Sequence, residues 1–147
     1  MSLPDGFAWS PLVPELLVRD LGASLGFWCG LVGFAAAYDR PEEGFAYLHL
    51  GGAQVMLEEA FRPGRRWITG PLEPPFGRGM NLQIAVSELG RVLAALEGAG
   101  WPLYMAPEER WYSAGSQESG VRQFLVQDPD GYLLRLQQPL GLRPAQG

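Results

Sequence analysis

The stretch that decides the fold reads Val121-Arg122-Gln123-Phe124-Leu125-Val126-Gln127-Asp128-Pro129-Asp130-Gly131-Tyr132-Leu133-Leu134-Arg135-Leu136. Two apolar runs flank Asp-Pro-Asp-Gly, in which Pro129 pre-sets φ at the second turn position and Gly131 is free to take a positive φ. The stretch is therefore a hairpin. Alternation sends Leu134 and Leu136 to one face and Leu133, Arg135 and Gln137 to the other. An arginine in the middle of a packing strand requires a second face that is not simply core.

The pattern has a counterpart upstream. Tyr47-Leu48 falls on Phe124-Leu125, and Gly52, Val55 and Leu57 fall on Gly131, Leu134 and Leu136. Residues 14–30 laid over 82–98 match at Val18/Val86, Leu21/Leu89, Gly22/Gly90, Leu25/Leu93 and Gly30/Gly98, with Asp20 on Glu88. The same order of elements in both halves indicates duplication. Each half opens with an alternating strand, 13–18 and 81–86. Asp20 suits an N-cap, with Leu21, Leu25, Trp28 and Leu31 or Val32 recurring at helical spacing. In the second half Ser87 or Glu88 opens the helix, and Leu89, Val92 or Leu93, Leu96 and Ala99 form its apolar stripe. Further strands are predicted at 34–38, 45–50 and 54–58, then at 103–106, 122–127 and 133–137. The expected class is α+β: two tandem βαβββ modules, residues 10–61 and 80–139, joined through 62–79 into one structural domain whose sheets form a partly enclosed cleft. The connection is rich in Pro and Gly but carries Trp67, Ile68 and Phe76. A solvated linker does not need them, so part of it is expected to pack or to line something.

Composition bounds the function. A chain of 147 residues makes one compact domain, or two small modules sharing a core. With 47% apolar and 18% charged residues it is ordinary globular material. No apolar run approaches a membrane span, and no basic region followed by an apolar stretch marks the N-terminus. Met1-Ser2-Leu3 reads equally as a native start or a cloning remnant and is set aside. The single cysteine, Cys29, excludes an internal disulfide and fits a cytoplasmic location. The net charge is −5, and the eleven basic residues are all arginine. That balance argues against nucleic acid as a partner and favours cationic small molecules.

The faces turned away from the helices carry Val13, Glu15 and Leu17, then Gln54, Met56 and Glu58, then Asn81, Gln83 and Ala85, and finally Leu133, Arg135 and Gln137. Such a mixture suits a ligand-sized cleft better than either solvent or core. Arg135 is placed either to pair with Glu15 or Glu58 across that cleft or to bind an anionic group of a ligand. Other chemistry is thin. Cys29 follows Trp28 in a helix and reads as core; His49, the one histidine, reads as a hydrogen-bonded strand residue. As a Cys–His pair they lack an orienting third group. There is no glycine-rich nucleotide loop and no zinc-spaced cluster.

Two βαβββ modules with an Asp-capped helix and a DPDG hairpin before the last strand resemble the vicinal oxygen chelate superfamily: glyoxalase I, fosfomycin-resistance proteins, extradiol dioxygenases and bleomycin-resistance proteins. The stretch from Arg122 to Arg135 looks most like the bleomycin-resistance-like members. The resemblance covers nearly the whole chain and implies the fold; activity varies within the superfamily. Its metal enzymes place His, Gln or Glu at four positions, which here are Val13, Met56, Asn81 and Arg135. Valine cannot ligate, a thioether and a neutral amide are poor ligands for a hard ion, and Arg135 would set a fixed positive charge on the cation. A slip in the Met56 register would bring in Glu58, still only one carboxylate. The resemblance thus implies a metal-independent protein without a cofactor. In the bleomycin-resistance proteins a homodimer forms two clefts that sequester the drug, with stacked aromatic rings and acidic groups meeting its cationic tail. Trp111 or Tyr112 is similar in placement to the stacking residues, and Glu15 or Glu58 is suited to supply the charge. Both Trp111 and Trp67 read either as ligand contacts or as structural cover or interface. The leading expectation is an antibiotic-resistance-type binding protein, a homodimer, whose ligand is aromatic and cationic. The alternatives are a metal-dependent lyase, dioxygenase or thiol transferase of the same fold, and a ligand-sensing or protein-interaction module.

Overall fold

Alternation in the first half becomes a sheet with two different faces. A computed structural model describes residues 2–146; Met1, part of the tripeptide set aside above, lies outside them. Two compact units are present, Met1–Arg78 with Asp128–Tyr132, and Gly79–Gln127 with Leu133–Gly147. Each contains a four-stranded sheet, so the tandem βαβββ plan holds.

In the first unit β1 (Glu15–Val18), β2 (Ala35–Arg40), β3 (Phe45–Leu50) and β4 (Ala53–Glu59) are ordered β1-β4-β3-β2. β1 runs parallel to β4, and β3 antiparallel to β4 and β2. Helix α1 (Leu21–Phe27) starts where Asp20 accepts a 3.0 Å hydrogen bond from the Ala23 amide. It continues into a wider π-helical turn, Trp28–Val32, which Gly33 ends at φ 105°. Leu16, Val18, Leu48, Val55 and Leu57 are buried together with Phe27, Trp28 and Val32. Each such aliphatic side chain contributes roughly 1.5–3 kcal/mol of transfer free energy.

The opposite face of this sheet is also partly covered. Ala37, Phe45 and Tyr47 form a buried cluster that Phe7, Val13, Tyr38 and Met56 pack against. The chain before β1 lies over it. Phe7 meets Tyr47 and His49 edge-on, and Trp9 meets Tyr38 and Tyr47. Gln54 holds this segment in place: its Nε2 donates to the Ala8 carbonyl at 2.6 Å, and its Oε1 accepts from the Ser10 amide at 2.9 Å and from the Tyr47 hydroxyl.

In the second unit β5 (Asn81–Ala85), β6 (Met105–Ala114), β7 (Gln117–Gln127) and β8 (Leu133–Pro144) are ordered β5-β8-β7-β6, with β5 parallel to β8. Helix α2 (Leu89–Gly98) buries Leu89, Val92 and Leu96 in a core shared with Ile84, Phe124, Val126, Leu134 and Leu136. Its first turn is not capped by Ser87 or Glu88. Gln138, from β8, accepts from the Leu89 amide at 3.1 Å instead.

The last three strands run well past their expected ends. Bulges carry β6 and β8 past proline and glycine residues. Pro107 lies in an irregularity of β6 between Met105 and Glu108, and Leu140 is the extra residue where β8 slips against Gly120 and Val121. Consequently Trp111 and Tyr112, expected in a connecting segment, are strand residues.

The DPDG turn is built into the first unit. Gly131 takes φ 94°, and its amide donates back to the Asp128 carbonyl at 3.0 Å. Asp128 Oδ1 accepts from the amides of Asp130 and Tyr132, and its Oδ2 from Trp28 Nε1 at 3.0 Å. Asp130 Oδ1 receives the Arg19 guanidinium at 2.8 Å and the Arg19 amide at 3.1 Å. The Tyr132 hydroxyl donates to the Leu17 carbonyl, and the Phe76 amide to that of Asp130. No helix among the described residues is long and apolar enough to cross a membrane.

Candidate functional site

The parallel register of β1 on β4 sets Glu15 opposite Met56 and Leu17 opposite Glu58, so both carboxylates project from the face away from α1. They stand side by side. Arg66 takes Glu58 in a 3.2 Å ion pair, largely shielded from water, and donates its Nε to the Glu59 carbonyl. Among the described residues Glu15 has no ion pair, and its carboxyl is raised above the usual range. Burial is the main cause, followed by the Glu58 charge and a hydrogen bond to Glu58; Arg66 and Arg40 partly oppose them.

Glu15 also lines a cavity of about 450 Å³ in the first unit, together with Leu17, Trp67, Ile68, Phe76 and Tyr132. The segment 67–78 forms one wall. Phe76 is buried and meets Tyr132 edge-on, with ring centroids 6.0 Å apart. Trp67 is 69% exposed, and the Arg65 guanidinium sits 4.6 Å from its ring centroid. Arg78 is turned onto the carbonyls of Pro74 and Pro75. The Pro/Gly-rich connection therefore does line something: Trp67, Ile68 and Phe76 are among the lining residues, with Glu73 and Arg78 beside them. Leu17 lies on the face the sequence assigned to a cleft, whereas Tyr132 and Arg66 were not picked from sequence. The position of Tyr132 directly after the DPDG turn was the one available signal for it.

The remaining candidates fall in two places. Met56 packs with Val13 against the aromatic cluster of the first sheet. Asn81, Gln83, Trp111, Tyr112 and Arg135 belong to the second unit. There Gln83 is the cross-strand partner of Arg135. Tyr112 pairs with Ser119, placing it on the face of Gln123, whose amide donates to the Tyr112 hydroxyl at 2.7 Å and to Glu108 at 3.1 Å. Trp111 pairs with Gly120 and so lies on the other face. Its ring rests against Gly120, where a Cβ would come within 2.6 Å of it. Arg143, itself paired with Glu118 at 2.9 Å, caps the ring 4.0 Å from the centroid. Trp111 is thus engaged by protein groups, as a cover over a glycine in a twisted hairpin.

The four positions that the resemblance assigns to metal ligands do not form a donor set. Val13 and Met56 are spent on apolar packing, and no group of three or more His, Cys, Asp or Glu that could hold a metal ion occurs among the described residues. Cys29 lies in the π-helical turn, half-buried, with its thiol pushed up by burial, the wrong direction for a nucleophile. His49 is half-buried on β3, edge-on to Phe7.

Comparison with known proteins agrees with the topology. Among solved structures, TioX from Micromonospora sp. ML1 is 21% identical with a TM-score of 0.68, over 90% of this chain and 100% of that one. A virulence protein from Salmonella typhimurium is 20% identical with a TM-score of 0.65, over 90% and 98%. At such identities these two bear on the fold alone. A glyoxalase/bleomycin resistance protein/dioxygenase superfamily member from Vibrio splendidus 12B01 is 35% identical over 86% of this chain and 95% of that one, with a TM-score of 0.40. No curated protein matches the chain. The model of one family spans residues 12–136, from before β1 to the middle of β8. By this match and by the paired βαβββ sheets, the chain belongs to the Glyoxalase/Bleomycin resistance protein/Dioxygenase superfamily.

Proposed function

We propose that this chain is a small-molecule binding protein of the bleomycin-resistance type, which sequesters a flat aromatic cation without a metal. The supporting observation is that Glu15 and Trp67, singled out independently in the sequence, line one cavity of about 450 Å³. That volume suits a drug-sized ligand. Trp67, Phe76 and Tyr132 offer ring surface for stacking, and Glu15, with Glu58 beside it, offers negative charge. Burial raises the Glu15 carboxyl, and a bound cation, which favours the ionised form, works against that shift. The lining supplies walls and charge rather than a nucleophile–base pair, which suits sequestration better than turnover.

Titration with metal-free bleomycin, followed by tryptophan fluorescence and in parallel by calorimetry, tests this. The expected result is saturation near a one-to-one ratio, weakened about tenfold or more by Trp67→Phe or Glu15→Gln and little changed by Trp111→Phe. A flat trace by both methods would remove the drug from the reading.

A further inference from the structure

Among the arginines, Arg135 stands apart. Arg19, Arg40, Arg62, Arg66, Arg91 and Arg143 are paired with carboxylates and Arg78 with carbonyls, while Arg65, Arg110 and Arg122 are exposed to water. Among the described residues the Arg135 guanidinium has neither a hydrogen-bond nor an ion-pair partner, and its Nε is shielded from water with no acceptor. It sits in the interior of the second sheet, on β8 between Gln83 of β5 and Leu125 of β7. Glu58, one expected partner, is taken by Arg66. On the face of Arg135 the carboxylate of Glu108 is engaged by Gln123. A fixed cation with a desolvated, unsatisfied N–H is a costly thing to keep in a sheet unless an acceptor arrives from outside.

We infer that Arg135 is the centre of an oxyanion site on the second unit, which takes a carboxylate or phosphate group of a small molecule. No protein bond holds the guanidinium, so turning its Nε–Nη edge toward an incoming oxyanion breaks no interaction and satisfies the stranded N–H. That edge matches two oxygens of a carboxylate or phosphate in a bidentate fork. Gln83, exposed and directly across the strand pair, adds an amide donor beside it. Gln137, two residues along the same face of β8, adds a second. Every side chain contributed by this group is a cation or a neutral amide. Its residues all lie in the second unit and serve a different chemistry from the cavity beside Glu15.

The test is an NMR titration of the intact 15N-labelled protein, observing arginine Nε–Hε signals, with inorganic phosphate, benzoate, and sodium chloride at matched ionic strength. Arg135→Lys, which has no Nε–H, identifies the signal, and a well-dispersed amide spectrum shows that the variant is folded. The expected result is a saturable shift of the Arg135 signal and of the Gln83 and Leu125 amides. In Arg135→Gln the amide shifts weaken about tenfold or more. Saturation by phosphate alone assigns a phosphate-bearing ligand, by benzoate alone an aromatic carboxylate, and by both an oxyanion site without preference. A shift no larger than that of the exposed Arg110 and Arg122, or one that chloride reproduces, overturns the inference. Bleomycin binding reads the other unit, so either proposal can fail without the other.

Discussion

Trp28 and Asp128, 100 positions apart in the chain, meet in a buried 3.0 Å hydrogen bond from the indole Nε1 to the carboxylate. The indole is fully buried in the first unit, and the carboxylate also organises the DPDG turn through the Asp130 and Tyr132 amides. Burial pushes Asp128 from the ordinary 3.8 up to about 6, although all three N–H donors pull the other way. The folded state therefore holds this proton more tightly than the unfolded chain. The associated stability is fully present below the unfolded pKa and is lost as pH rises through about 6. The stability of the native protein minus that of Asp128→Asn is expected to grow, by up to about 3 kcal/mol, as pH falls from about 7 to about 4. Urea unfolding at several pH values measures it; a pH-independent difference assigns the titration elsewhere.

Gly131 is needed twice over. Its φ of 94° disfavours any side chain, and a Cβ there would sit 2.4 Å from Pro75 Cβ. Gly131→Ala is expected to cost about 1–3 kcal/mol or more, read from the denaturation midpoint. Because Pro75 lines the cavity, the variant also tests whether that wall moves.

Gly120→Ala places a methyl group against the Trp111 ring, which must leave Gly120. The expected loss is about 1–3 kcal/mol, with a red shift of tryptophan emission. Trp111→Phe in the same background should restore part of that loss. Unchanged emission in Gly120→Ala would show that the ring does not rest there.

The buried amide of Gln54 holds the segment before β1 by two hydrogen bonds, to Ala8 and Ser10, and accepts a third from Tyr47 of β3. Gln54→Ala leaves the Ala8 carbonyl and Ser10 amide without it, and about 1–3 kcal/mol is expected to be lost. Hydrogen exchange should rise at Phe7 and Trp9 before the global unfolding limit. Protection that remains native-like there would mean the ring contacts alone hold the segment.

If the cavity beside Glu15 binds a cation as proposed, binding is proton-linked through Glu15. Its ionised form is what a cation requires, and burial with Glu58 has raised its pKa, so affinity is expected to increase as pH rises through that raised value. N-methylacridinium, a flat permanent cation, is a suitable probe because it does not titrate itself. Calorimetry in buffers of different ionisation heat should report proton release for the native protein and none for Glu15→Gln. Equal release in both would place the titrating group elsewhere.

Much of the architecture is legible in local pattern. Period-two alternation at 81–86, the Asp20 cap and the DPDG turn each depend on neighbours in sequence, and the structure reproduces each of them. The repeat told the same story twice, which is why the βαβββ plan emerged without contacts. Strand ends were less legible. Pro107, and Pro139 and Gly141 on either side of Leu140, disfavour a strand by local rule, but cross-strand pairing carries β6 and β8 past them through bulges.

What the chain determines by itself is which residues share a face, because alternation within a strand is a local steric property. Which faces and segments then meet depends on register and on contacts between distant parts of the chain, so only tertiary structure decided it. That is why Trp67 and Tyr132 meet Glu15 at one cavity. It is why Trp111 and Tyr112, adjacent in sequence, turned to opposite faces once their segment became a strand. It is also why Glu58 pairs with Arg66, and why the Arg135 guanidinium has no protein partner among the described residues.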